Sequence, residues 1–145
     1  MLWIRLQLFL AALWWGSLSV VGAVVVPTLF ALLEPKALAG LVAARLFSAV
    51  CWMGLVSGLM ILLAGRRTAG EQPYRPSAWV LLGMLCALLL EVAVAPRILA
   101  RENLALWHGL GTVLFAVQWL AVGRWLWGWS VRPVASQPPQ TPQAD

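Results

Sequence analysis

Four long apolar runs, at about residues 2–33, 38–64, 78–100 and 105–129, leave this 145-residue chain few ways to fold. Each is long enough to cross a hydrocarbon layer of ~30 Å at ~1.5 Å rise per residue. Lipid offers the backbone no hydrogen-bond partners, so a spanning segment is a helix or a strand of a closed barrel. Barrel strands alternate polar and apolar residues over about ten positions, and none of the four runs does so. Charged residues make up 10% of the chain, against about a quarter in a soluble domain. The expectation is an all-α integral membrane four-helix bundle, occupying residues 1–129 as one domain. The net charge of +5 does not read as a nucleic-acid patch, because the basic residues are scattered at segment ends.

The connections Glu34–Lys36, 65–77 and 97–104 are short, which makes successive helices antiparallel neighbours. Arg5, Arg66, Arg67, Arg75, Arg124 and Arg132 fall on the side of the termini, against Lys36, Arg97 and Arg101 on the other. That bias predicts both termini in the cytoplasm, with a bacterial cytoplasmic (inner) membrane as the expected location. Trp3, Trp79, Trp125, Trp127 and Trp129 are then expected as a cytoplasmic aromatic belt, with Trp107 at the outer interface. The first run follows Arg5 like a leader, but continues past residue 25 without a small-residue cleavage site, so it reads as a retained helix. Residues 130–145 are rich in Pro and Gln, with little to bury, and are expected to be a disordered cytoplasmic tail. Cys51 and Cys86 lie mid-segment without metal or redox spacing and read as packing residues.

A weak repeat runs through the chain. "VVVPTLFALLEPKALAGL" (24–41) and "AVAPRILARENLALWHGL" (93–110) align Pro27 with Pro96, Ala31 with Ala100 and Gly40 with Gly109. A duplicated αα-hairpin, related by an axis along the membrane normal, would produce this pattern.

The polar residues inside these runs are the functional candidates, because a charge near the bilayer centre costs about 2.5–3.5 kcal/mol or more. Arg45 on helix two and Glu91 on helix three come out at matching depth, roughly 7–10 Å below the outer boundary by helical rise, and suggest an ion pair. Glu91 shares a four-residue spacing with Gly83 and Ala87, a small-residue packing face. Arg45 shares its face with Ala49 and Trp52, with Ser48 beside them. His108 shares its face with Thr112, Phe115 and Trp119, and Trp15 with Ser19 and Gly22. The expected pocket therefore consists of Arg45, Glu91, Arg97, His108, Thr112, Trp15 and Trp52, open to the outer side and taking a small ligand, proton or metal. The competing expectation is that Arg45 and Glu91 only fix helix register. His108 and Glu91 are weak metal candidates, since a stable site needs three or four ligands. The pattern Gly54-x-x-x-Gly58 marks either a homo-oligomer face or tight packing within the bundle. No nucleophile stands beside a base, and neither a phosphate-cradling loop nor a zinc-protease motif is present. No enzymatic activity is expected.

The segments "LWWGSLSVVGAVVVPTLFALL" (13–33), "AGLVAARLFSAVCWMGLVSGLMILL" (39–63), "VAPRI" (94–98) and "WHGLGTVLFAVQWL" (107–120) resemble, in order and spacing, the transmembrane-protein-205-like family. That resemblance implies a four-helix membrane protein of unknown function, with Trp15, Gly16, Pro27, Phe30, Phe47, Pro96, Arg97, His108 and Gly109 as motif positions. The family is in turn distantly similar to the CopD and HemJ-type membrane proteins, which implies a haem or metal connection. This chain departs from those proteins. Helix one has no histidine, and a b-type haem with two histidine ligands cannot be built from His108 alone. The leading expectation is a non-enzymatic membrane protein that binds or helps move a small ligand. An assembly subunit packing on other helices, or a haem- or metal-linked redox protein, are the alternatives.

Overall fold

The computed structural model describes residues 1–130. The expected tail lies, beyond Ser130, outside the described residues. The described elements are helical: α1 (Leu2–Leu32), α2 (Lys36–Ala69), α3 (Ala78–Leu99) and α4 (Leu104–Ser130). All four are long and apolar enough to cross a membrane, and the protein is an all-α four-helix membrane bundle. Large apolar side chains such as Phe9, Leu13, Val56, Leu59, Leu85 and Val113 point outward, where a bilayer rather than water satisfies them. α1 packs chiefly on α2, and α3 on α4; the two hairpins meet where α2 touches α3 and α1 touches α4. The start of α1, the end of α4 and the 70–77 connection share one end of the bundle, here called the terminal end. The other two connections share the hairpin end.

α2 is longer than the sequence suggested, extending from Lys36 to Ala69, because the polar stretch Arg66–Thr68 continues the helix beyond its apolar part. Gly70, at φ 60°, ends it in a conformation that residues with a Cβ avoid. Pro96 does not end α3; the helix continues through it to Leu99.

Local geometry explains this, and the same device occurs in α1. A widened π-helical turn at Val21–Val25 precedes Pro27, and another at Leu90–Val94 precedes Pro96. Proline has no N–H to donate and its ring collides with the carbonyl four residues back, so a wider turn accommodates it inside a continuous helix. In α1 the Val26 N–H reaches back to the Val21 carbonyl, and in α3 the Ala95 N–H reaches back to Leu90. The residue after each proline then caps a carbonyl four residues back with its side chain. Thr28 Oγ1 donates to Val24 O at 2.7 Å, and Arg97 Nη1 donates to Ala93 O at 2.7 Å. All of these positions are related by one offset of 69 residues (21 to 90, 27 to 96, 28 to 97). It is the offset of the sequence repeat.

The core forms around Trp14, which is wholly buried. Three glycines make room for it. A Cβ on Gly54 would overlap the Trp14 indole nitrogen, one on Gly58 would come within 3.4 Å of the ring, and one on Gly83 within 3.0 Å. Trp15 is seated in the same way on Gly123, the 69-residue counterpart of Gly54, where a Cβ would lie 2.8 Å from its Nε1. The Gly54/Gly58 face is therefore filled by Trp14 and by Met84 of this same chain. Both glycines are buried against these side chains. Trp125 is also buried rather than part of an interfacial belt, packing at 5.9 Å against Trp129, whereas Trp3, Trp79 and Trp127 are exposed.

Candidate functional site

Glu91 sits on the second π turn, half-buried, and reaches across to α2. Its Oε1 accepts a hydrogen bond from Ser48 Oγ at 2.7 Å and one from Trp52 Nε1 at 3.3 Å. Ser48 and Trp52 are four residues apart on α2, so one helical face supplies both donors. The hydroxyl bond is short and the indole bond long. The other carboxylate oxygen accepts no hydrogen bond among the described residues. The Trp52 indole beside it is 57% exposed, so the carboxylate and an aromatic face stand together at the edge of the bundle.

Arg45 does not join this pair. It is exposed, three residues before Ser48 on the same helix, and the ion pair found among the described residues is Lys36–Glu34 at 2.7 Å. Matched depth along two helices was therefore insufficient for contact: the Ser48 and Trp52 donors satisfy Glu91 where Arg45 was expected. Arg97 is committed elsewhere, to the Ala93 carbonyl and to the Trp107 ring, over which its guanidinium lies at 4.5 Å. His108 and Thr112 are both exposed, and the Thr112 hydroxyl donates back to the His108 carbonyl at 2.9 Å. The face shared by His108, Thr112, Phe115 and Trp119 thus splits. Only its deeper half turns inward, where Phe115 meets Phe47 edge-on at 5.3 Å and Trp119 stacks on Trp15 at 5.3 Å. Of the seven expected pocket residues, the structure brings together Glu91 and Trp52, and adds Ser48.

Trp15 belongs to a separate polar contact deeper in the bundle. Trp119 Nε1 donates to Ser19 Oγ at 2.7 Å, and that hydroxyl donates to the Trp15 carbonyl at 2.9 Å. Gln118, which the sequence reading passed over, is wholly enclosed, and neither of its amide atoms has a partner among the described residues. A Cβ on Gly111 would touch Val94, and one on Gly83 would touch Val122, which sets the α3–α4 register. That register puts Gln118 level with the fully buried Ala87, about one turn, or ~5 Å, from Glu91 along the bundle.

The lone histidine does not fit a haem: it is exposed on the outside of α4 with an exposed threonine one turn on. Among the described residues no three His, Cys, Asp or Glu side chains stand close enough to hold a metal ion. At the terminal end, between all four helices, lies a cavity of about 560 Å³ that no sequence signal had suggested.

The chain belongs to a family defined by a domain of unknown function (DUF4149), which it matches over residues 9–105. The match takes in both π turns, α1 from its first turns, α2, α3 and Glu91 with its two donors. No curated protein and no solved structure matches the chain.

Proposed function

We propose that this protein is a non-enzymatic membrane protein that binds, or helps move, a small ligand at Glu91, and that the ligand's contacting group is a small organic cation such as an alkylammonium. One observation carries the reading. A carboxylate in a membrane-spanning segment has one oxygen held by two donors, and its other oxygen is uncommitted beside an accessible indole. A carboxylate next to an aromatic face is the pairing that takes alkylammonium groups, and intramembrane carboxylates are rare unless they serve a purpose. Arg45, on the helix of Ser48 and Trp52 and without an ion-pair partner among the described residues, is then the built-in competitor. The arginine bias toward the terminal end supports both termini being cytoplasmic, with Glu91 in the outer half of a bacterial inner membrane. The ordered motifs shared with the transmembrane-protein-205-like family sit comfortably with this reading; the further kinship to CopD and HemJ-type proteins, and the haem it brings, does not.

Native mass spectrometry in mild detergent, with an optical spectrum of the same sample, tests it. A small molecule retained at one copy per chain, and lost in Glu91→Gln, is the expected result. A clean mass at dimer or higher order, unchanged by Glu91→Gln, would transfer the weight to an assembly role. A Soret band lost in His108→Ala would transfer it to a haem protein.

A further inference from the structure

The cavity at the terminal end is chemically unlike the Glu91 site and lies at the opposite end of the bundle from both π turns. Its volume is about 560 Å³, large enough for the head of an amphiphile. Two arginines line it, Arg75 from the α2–α3 connection and Arg124 from α4, and no carboxylate among the described residues does. Arg124 is exposed, its guanidinium 5.9 Å from the Trp79 ring centre and 3.4 Å from where a Gly128 Cβ would be. Ser77 and Tyr74 add hydroxyls to the same wall. Tyr74 lies flat over Gly65, where a Cβ would come 2.7 Å from the phenol oxygen, and Arg66 is close enough for its charge to act on that phenol. Ile61, Leu62 and Trp125 make the inner wall apolar.

A cavity lined by two guanidiniums, hydroxyls and apolar side chains suits an anionic group carried on an apolar body, and the planar fork of arginine matches phosphate oxygens two at a time. The position agrees: basic pockets between helix ends, at the level where bilayer phosphates lie, take anionic headgroups. We propose that this cavity is a binding site for a phosphate ester gripped by Arg75 and Arg124, whether the ester is an anionic phospholipid headgroup or a soluble phosphate monoester.

Delipidated full-length protein in a neutral detergent, titrated with phosphatidylglycerol or phosphatidylcholine and read by native mass spectrometry, tests the site. One phosphatidylglycerol per chain should be retained in preference to phosphatidylcholine. The double change Arg75→Gln/Arg124→Gln should weaken retention about thirtyfold, as loss of two interfacial arginines does. The double change Arg5→Gln/Arg67→Gln removes the same charge from the same end outside the cavity and should leave retention intact. Gly65→Leu, which alters no charge but drives Tyr74 into the cavity, should also abolish it. If glycerol phosphate at millimolar concentration displaces the lipid, the natural source is a soluble monoester; if it does not, the source is lipid. Equal retention of the two lipids, equal weakening in both double variants, or retention untouched by Gly65→Leu would overturn the proposal.

Discussion

The two π turns are the same piece of backbone put to different uses. Both precede a proline, and both are capped by the residue after it through a 2.7 Å side-chain bond to a carbonyl four residues back. At the position 69 residues from Glu91 the first turn carries Gly22. There the Phe115 ring closes on the backbone so tightly that a Cβ would lie 2.8 Å from its edge. In the second turn the equivalent residue is a carboxylate that meets Ser48 and Trp52. The same local backbone thus serves packing in one half and polar chemistry in the other. The cores of the halves differ in the same complementary way. The first hairpin contributes Trp14 and Trp15; Gly54 and Gly58 of the same hairpin and Gly83 of the second seat Trp14, and Gly123 of the second seats Trp15.

The contrast can be broken at several points. The largest effect is expected at the shared core: Trp14→Ala should cost about 3–5 kcal/mol in reversible unfolding in detergent or lipid, the usual loss for a buried large aromatic. Gly22→Val should cost about 1–3 kcal/mol through overpacking against Phe115. Glu91→Val, the matching change in the other turn, should leave stability within about 1 kcal/mol, because deleting a group whose partners stay accessible leaves little uncompensated. Equal costs for these two valines would erase the distinction between a closed turn and an open one. Thr28→Val and Arg97→Met should each lower stability by about 0.5–1.5 kcal/mol, the worth of one hydrogen bond, and by similar amounts if the turns are equivalent. Arg97→Met should lose somewhat more, because its contact with Trp107 goes too. The smallest expected effect lies outside the membrane-spanning part. Burial raises the Tyr74 phenol above its ordinary value of 10.0, opposed by Arg66. The folded state therefore holds this proton more tightly than the unfolded one, and stability should fall as pH rises above 10. Tyr74→Phe should flatten that alkaline edge in a thermal melt.

Helix number, helix type and the repeat could be read from the sequence, because apolar run length and the two prolines carry them directly. Which residues meet across the bundle was less legible. Helical rise sets Arg45 and Glu91 at similar depth, but depth is one coordinate and helix rotation is another. An uncharged serine and an indole took the place in which a cation was expected. His108 and Thr112 were placed by helical period on the inward face of Phe115 and Trp119, whereas only the deeper two turn inward. The seat of Trp14 was hidden for a different reason. Gly54, Gly58 and Gly83 look alike whether they face lipid, a second chain or a tryptophan, and only the packed bundle distinguishes these. Gln118 gave a fair warning that was missed, since an amide in the middle of a spanning run calls for explanation as a carboxylate does. The terminal-end cavity is made by four separate helix ends, and no local pattern reports such a meeting.

The most direct test is the response of the Glu91 carboxylate itself. The chain has four glutamates, at positions 34, 71, 91 and 102, so ¹³C-glutamate labelling in lipid nanodiscs gives few carboxyl signals, and Glu91→Gln identifies the one that matters. Titration with tetramethylammonium should shift the Glu91 signal saturably. The shift should saturate at lower concentration in Arg45→Gln, where the internal competitor is gone, and at higher concentration in Trp52→Leu. A Glu91 signal indifferent to the cation in all three proteins would contradict the account and leave the second π turn, like the first, as packing alone.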